Sequence, residues 1–195
     1  MRDWLGAIPA GAFPRRGLGL LAAFVFLAGL GGIQGQAQIS REYQIKAVFL
    51  YNFAQFTEWP PEAFSGPQDP LVIGILGTDP FGPSLEEAVR AEKVNHRSLE
   101  IRRFSRADEI KTCHILFISG SEPERLGEIL ASLRGRSILT VSDTDDFARR
   151  GGMVQFVTRN NKIHLRINMD ALKAAGLTAS SKLLRSAEIV TTVQP

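Results

Sequence analysis

Three groupings of side chains in this 195-residue chain have types and spacings suited to chemistry. Asp143, Asp145 and Asp146 follow a short apolar run. Carboxylates clustered at a strand end can hold Mg²⁺ or Ca²⁺ through oxygen ligands. They can equally cap a following helix and complement its dipole, with Arg149 and Arg150 one turn on to pair with them. Cys113-His114 sets a thiol beside an imidazole. Sequence neighbours on a strand point to opposite faces, and catalytic Cys–His pairs come from separate segments. Cys113 therefore reads as a half-buried structural thiol or, in an oxidising compartment, as the site of an intermolecular disulfide. The third grouping is Gly77-Thr78-Asp79-Pro80-Phe81-Gly82, between an apolar run and a helical pattern. A phosphate can bind at such a junction, but the segment matches neither a P-loop nor a dinucleotide fingerprint. Asp79 also places a negative charge where a phosphate would sit. The segment reads instead as a capped turn, with Asp79 as N-cap and Pro80 as first helical residue.

Much is excluded. A single cysteine rules out an intramolecular disulfide framework and any Cys-based zinc or iron–sulfur site. His96, His114 and His164 are scattered, so no metal or other cofactor is expected. No serine sits in a nucleophile elbow, and there is no H-E-x-x-H or paired catalytic carboxylate signature. Tyr51, Phe53, Phe56 and Trp59 form either helix core or an aromatic binding surface, and Trp59, beside Pro60 and Pro61, is the member expected to be exposed.

The elements that must position these residues can be read from periodicity. Glu42 to Phe56 has apolar residues over more than one helical face and ends before Trp59-Pro60-Pro61. Leu71–Leu76, Ile115–Ile118 and Ile138–Val141 are short apolar runs, as expected for strands buried on both faces. Leu99–Phe104 alternates and belongs nearer an edge. Helices are predicted over Pro80–Ala91 and Ser121–Leu133, with a short helical turn over Phe147–Arg150. Met153–Thr158 and Lys162–Ile167 form a hairpin through Arg159-Asn160-Asn161. Helices are then expected over Met169–Ala175, capped by Asn168 and stopped by Gly176, and over Ser180–Ile189, capped by Ser180. The fold class is a single α/β domain: a mixed, largely parallel sheet flanked by helices, then a C-terminal hairpin and helices.

Charge and export signals set the context. The chain carries 23 Lys+Arg against 20 Asp+Glu, a formal charge of +3. Arg2, Arg15 and Arg16 against Asp3 supply most of that excess. Arg15-Arg16 precede an apolar run, Leu18–Leu30, shorter than the roughly 20 residues a membrane span needs. Gly35-Gln36-Ala37 then matches a small-x-small cleavage site. Residues 1–37 therefore read as a signal peptide, with an uncleaved anchor as the alternative, and 38–195 as the exported domain. Without its leader the domain is nearly neutral, so no nucleic-acid partner is expected, nor a membrane span after cleavage.

The order of the segments is informative in itself. Tyr43–Phe53 through Glu58-Trp59-Pro60, Gly77–Gly82, Cys113–Ile118 and Leu139–Asp143 together resemble the YfiR family of periplasmic proteins. Phe147-Ala148, Gly151–Val154, Ile167-Asn168, Ala175–Leu177 and Ser180–Leu184 continue the pattern. The resemblance implies a non-enzymatic periplasmic regulator. In that family's best understood systems, such a protein restrains a membrane-bound diguanylate cyclase by binding its periplasmic sensor domain, which limits cyclic di-GMP and biofilm formation. A sensor kinase is the other class of partner considered. The family also implies dimerisation and, in some members, redox sensitivity through cysteine pairs; here Cys113 has no partner within the chain.

Three functions are thus set against each other. The first is a regulator that binds a partner protein. The second is a small-ligand receptor at the carboxyl ends of the strands, near Gly77, Thr78, Ser119 and Asp143. The third is an enzyme using Cys113 or the Asp143, Asp145, Asp146 cluster. Partner or ligand contacts are expected from Trp59, Thr78, Asp79, Ser119 and Asp143.

Overall fold

The computed structural model describes residues 30–192. The Leu18–Leu30 run and the arginines before it lie outside the described residues, except Leu30 itself. A compact unit starts at Ile39.

Helix α1 (Leu30–Phe56) starts well before Glu42. It leads into β1 (Thr57–Glu58) and β2 (Leu71–Leu76). Then come α2 (Ser84–Val89), β3 (Lys93–Val94), β4 (Arg97–Phe104) and β5 (Ile115–Ile118). Helix α3 (Leu126–Ser132) and β6 (Leu139–Ser142) precede the hairpin of β7 (Val154–Arg159) and β8 (Lys162–Asn168). The chain ends with α4 (Met169–Ala174), β9 (Thr178–Ala179), α5 (Ser181–Leu184) and β10 (Ala187–Val190).

The main sheet has eight strands in the order β10-β8-β7-β6-β5-β2-β4-β3. Its centre, β4-β2-β5-β6-β7, is parallel; β3 and β8 run antiparallel to their neighbours and β10 parallel to β8. This is the mixed, largely parallel sheet expected. A short pair, β1 with β9, forms a second sheet. β2 and β5 are buried along their whole length, as their unbroken apolar runs require. Alternate side chains feed two cores. Ile73, Ile75, Phe117, Val141 and Phe156 pack with Leu50 and Phe53 of α1 on one face. Leu76, Leu116 and Ile118 pack with Leu126 and Ile129 of α3 on the other.

Several local predictions hold. Asn168 Oδ1 accepts the N–H groups of Asp170 and Ala171 at the start of α4, and Ser180 Oγ accepts that of Leu183. Gly176, with φ +69°, ends α4 through the Leu177 N–H to Leu172 carbonyl bond. Others need correction. The expected Ser180–Ile189 helix stops at Leu184, and Ala187–Val190 is a strand along β8. The open edge of β8 offers backbone partners, and Ile189-Val190 is β-branched, so tertiary pairing overrides the local helical pattern. Phe147–Arg150 is a run of turns, with Asp146 at φ +53°. α2 and α3 are shorter than predicted, and Asp79 does not cap α2, whose N-cap is Pro83. No helix among the described residues is long and apolar enough to cross a membrane.

Candidate functional site

Asp143 is the first residue after β6, and two donors from α1 converge on it. Lys46 Nζ lies 2.6 Å from Asp143 Oδ2 and 2.6 Å from Glu42 Oε1. The Tyr43 hydroxyl donates to the same Asp143 oxygen at 2.7 Å. The Lys46 side chain is only 2% exposed. Taking an ammonium out of water costs several kcal/mol, and only close carboxylates offset that cost. The Tyr43 ring adds to this, its centroid 4.4 Å from Nζ. Burial, and then the bond to Asp143, raises the Tyr43 phenol above its ordinary value, so it acts as a neutral donor. Glu42 also accepts the Thr158 hydroxyl at 2.8 Å, which ties α1 to β7.

The helical repeat explains why these residues meet. Tyr43, Lys46, Leu50 and Phe53 recur at spacings of three and four and share one face of α1. Leu50 and Phe53 are fully buried. Lys46 is thus a charge set inside an apolar stripe. That anomaly is visible in the sequence, and it marks the site better than the motifs first singled out.

Beside this cluster opens a cleft of about 670 Å³. One wall is Glu42, Tyr43 and Lys46. Another is the loop carrying Asp143, Asp145 and Asp146, and the floor is Gln155–Arg159 of β7. Asp145 and Asp146 are exposed. The expected pairing with Arg149 and Arg150 does not form: among the described residues neither carboxylate has an ion-pair partner, and Arg150 donates to the Pro123 carbonyl. Nor do these carboxylates cap a helix, since none starts there. No group of His, Cys, Asp and Glu among the described residues is arranged to hold a metal ion.

The other predicted residues are spread along the sheet. Thr78, Asp79 and Ser119 lie at the carboxyl ends of β2 and β5, but the crevice there is filled. Ser121 Oγ accepts the Thr78 N–H, and a side chain on Gly77 would run into Ser121 and Glu122. Asp79 bonds the Phe81 N–H and pairs with Arg103 at 2.8 Å. Ser119 is buried, and its Oγ accepts the Ser121 N–H. Of these candidates, only Asp143 reaches the cleft.

Trp59 sits at the opposite, amino end of the sheet and is half-buried rather than free. Its indole donates to the His114 carbonyl at 3.3 Å. His114 is 1% exposed. Its Nδ1 accepts the Val72 N–H and its Nε2 meets the Ala63 carbonyl, each at 3.0 Å. Those contacts fit one neutral tautomer, protonated on Nε2. Burial pushes His114 below its ordinary value. Phe64 stacks on the imidazole at 4.3 Å, and the Arg97 guanidinium covers Phe64 at 3.8 Å.

Cys113 is 7% exposed and donates to the Ile115 carbonyl at 3.0 Å. Burial pushes its thiol up to about 12. A nucleophile or an interchain disulfide needs an accessible thiolate, and this thiol is neither ionised nor accessible. It packs with Leu116 and Ile138 in the second core.

No curated protein matches the chain significantly. Residues 43–188, from the tyrosine of the charged cluster to the edge strand, match the YfiR/HmsC-like family, and the chain belongs to that family.

Proposed function

We propose that this chain is an exported regulatory protein that restrains a membrane-bound diguanylate cyclase, or a sensor kinase, by binding that partner's periplasmic domain. The family match over residues 43–188 carries the reading. The family is one of periplasmic regulators rather than catalysts. Two further features support a binding role. The chemistry-bearing residues are engaged in holding the fold: Cys113 in a core, Asp79 in a turn, Asp143 in an ion-paired cluster. The outer face of α1 also presents Ile45 and Val48, 44% and 50% exposed and one helical turn apart. Deleting the gene should raise cellular cyclic di-GMP and promote biofilm. Unchanged cyclic di-GMP in a strain that expresses the partner cyclase would refute the reading.

The cleft beside Asp143 favours a second reading, a small-ligand receptor. It lies at the carboxyl end of β6, where open α/β sheets commonly bind ligands, although displaced from the crevice near Thr78. Both readings hold together if a ligand has unequal affinity for the partner-bound and free states. Thermal shift against a panel of periplasmic metabolites tests this. A ligand whose stabilisation is lost in Arg166→Ala, a residue lining the cleft, supports it; no shift with any compound refutes it.

A further inference from the structure

The floor of the cleft is made of five consecutive residues, Gln155 to Arg159. Side chains of a strand alternate between its two faces, so a face presents every second residue and only an edge presents consecutive ones. The register agrees. Ser142 is the last β6 residue paired with β7, opposite Gln155. From Phe156 onward, β7 has β8 on one side and the cleft on the other.

The hairpin decides which peptide groups face the opening. Asn160 and Asn161, at φ +50° and +57°, form a two-residue turn, so Arg159 and Lys162 close it as a hydrogen-bonded pair. At the other end the Asn168 N–H donates to the Met153 carbonyl at 2.8 Å. Alternation between these two pairs turns the peptide groups of Gln155, Val157 and Arg159 toward β8, and those of Phe156 and Thr158 away from it. Thr158 therefore directs its N–H and C=O at the cleft, with no strand opposite among the described residues. An open edge of this kind is a template for another chain.

Charge narrows the occupant. Glu42 and Asp143 are engaged with Lys46, Arg166 pairs with Glu188 and Arg159 lies at the turn end of β7, whereas Asp145 and Asp146 on the facing loop are exposed and without ion-pair partners among the described residues. We infer that the β7 edge accepts an extended peptide segment as an added strand where β6 ends, with a basic side chain of that segment meeting Asp145 and Asp146. This is strand addition: backbone bonds supply affinity, and side chains supply selectivity. Only the identity of the protein supplying the segment rests on the partner-binding reading above.

The test uses the purified chain and a displayed library of random twelve-residue peptides. Enriched sequences should alternate β-branched or aromatic residues with polar ones and carry Lys or Arg near one end. On binding an enriched peptide, exchange of the Thr158 amide should slow by at least about tenfold, while Val157 and Arg159, already paired to β8, change little. The double variant Asp145→Asn, Asp146→Asn, whose fold is checked by circular dichroism, should bind the peptide about fivefold more weakly. Failure to enrich any peptide over a bare-surface control would overturn the proposal, as would enriched peptides that leave Thr158 exchange unchanged. Peptide binding without capture of a cyclase would remove the cyclase reading and keep the edge. Capture of a cyclase without protection at Thr158 would do the reverse.

Discussion

The two ends of the sheet each bury a basic side chain, and they do so by opposite means. At the amino end, His114 meets only backbone groups, the Val72 N–H and the Ala63 carbonyl, under the rings of Phe64 and Trp59. Backbone dipoles suit a neutral imidazole, and the cleft beside Trp59 and Phe64 at this end is the smaller, about 270 Å³. At the carboxyl end, Lys46 meets two carboxylates and a phenol, and a cleft stands open beside it. The polar partners determine the outcome. Where the chain supplies dipoles, a buried base is held neutral and becomes part of the fold. Where it supplies charges, the cluster stays ionic and leaves room for recognition.

The largest effect should come from the ionic end. Lys46→Met leaves Asp143 without its cation and should cost about 3 kcal/mol in urea denaturation, because breaking a buried pair exposes the lone charge to the interior. Adding Asp143→Asn should recover much of that loss. No recovery would mean that Lys46 contributes packing alone.

The neutral end comes next. His114→Phe keeps the stacking but orphans the Val72 N–H and the Ala63 carbonyl, a loss of about 2 kcal/mol. Its pH dependence is the sharper test. Burial holds His114 below its ordinary value of 6.5, so the unfolded chain takes up the proton first. Its contribution is complete above pH 6.5 and is lost as pH falls through the folded value. The acid-side slope of stability should therefore flatten in His114→Phe, and an unchanged slope would contradict the burial of a neutral imidazole.

A smaller contrast concerns Cys113, which belongs to the core behind the neutral end. A thiol reagent at neutral pH should leave the native chain unlabelled and modify one thiol per chain in urea. Rapid labelling of the folded protein would contradict the burial. Smallest in stability is Ile45→Lys with Val48→Lys, expected to stay within about 0.5 kcal/mol of the parent because both side chains face solvent. Capture of the partner should nonetheless fall if α1 contributes to that surface.

How much of this could be read beforehand depended on whether the deciding contact was local. The β2 and β5 strands, the Asn160-Asn161 turn and the Asn168 and Ser180 caps are local features, and all stand where expected. Ala187–Val190 has a local helical pattern but forms a strand, because its strand character comes from β8, distant in sequence. Asp79 has the residue type of a cap, yet Arg103 and the Phe81 N–H claim it. Of the candidate site, Asp143 was anticipated, whereas Glu42, Tyr43 and Lys46 were not. Lys46 could have been found: a lysine at a buried position of an amphipathic helix must have a carboxylate across the fold. The β7 edge was not legible, since it depends on where β6 stops relative to β7.

If, as proposed, the chain acts by binding a membrane protein's periplasmic domain, the two should form a complex in solution. Isothermal titration of the purified chain into the soluble periplasmic domain of a membrane-bound diguanylate cyclase from the same organism tests this most directly. A saturable complex of fixed stoichiometry is predicted, weakened in Asp145→Asn, Asp146→Asn. No heat of binding, with both proteins folded, would contradict the account.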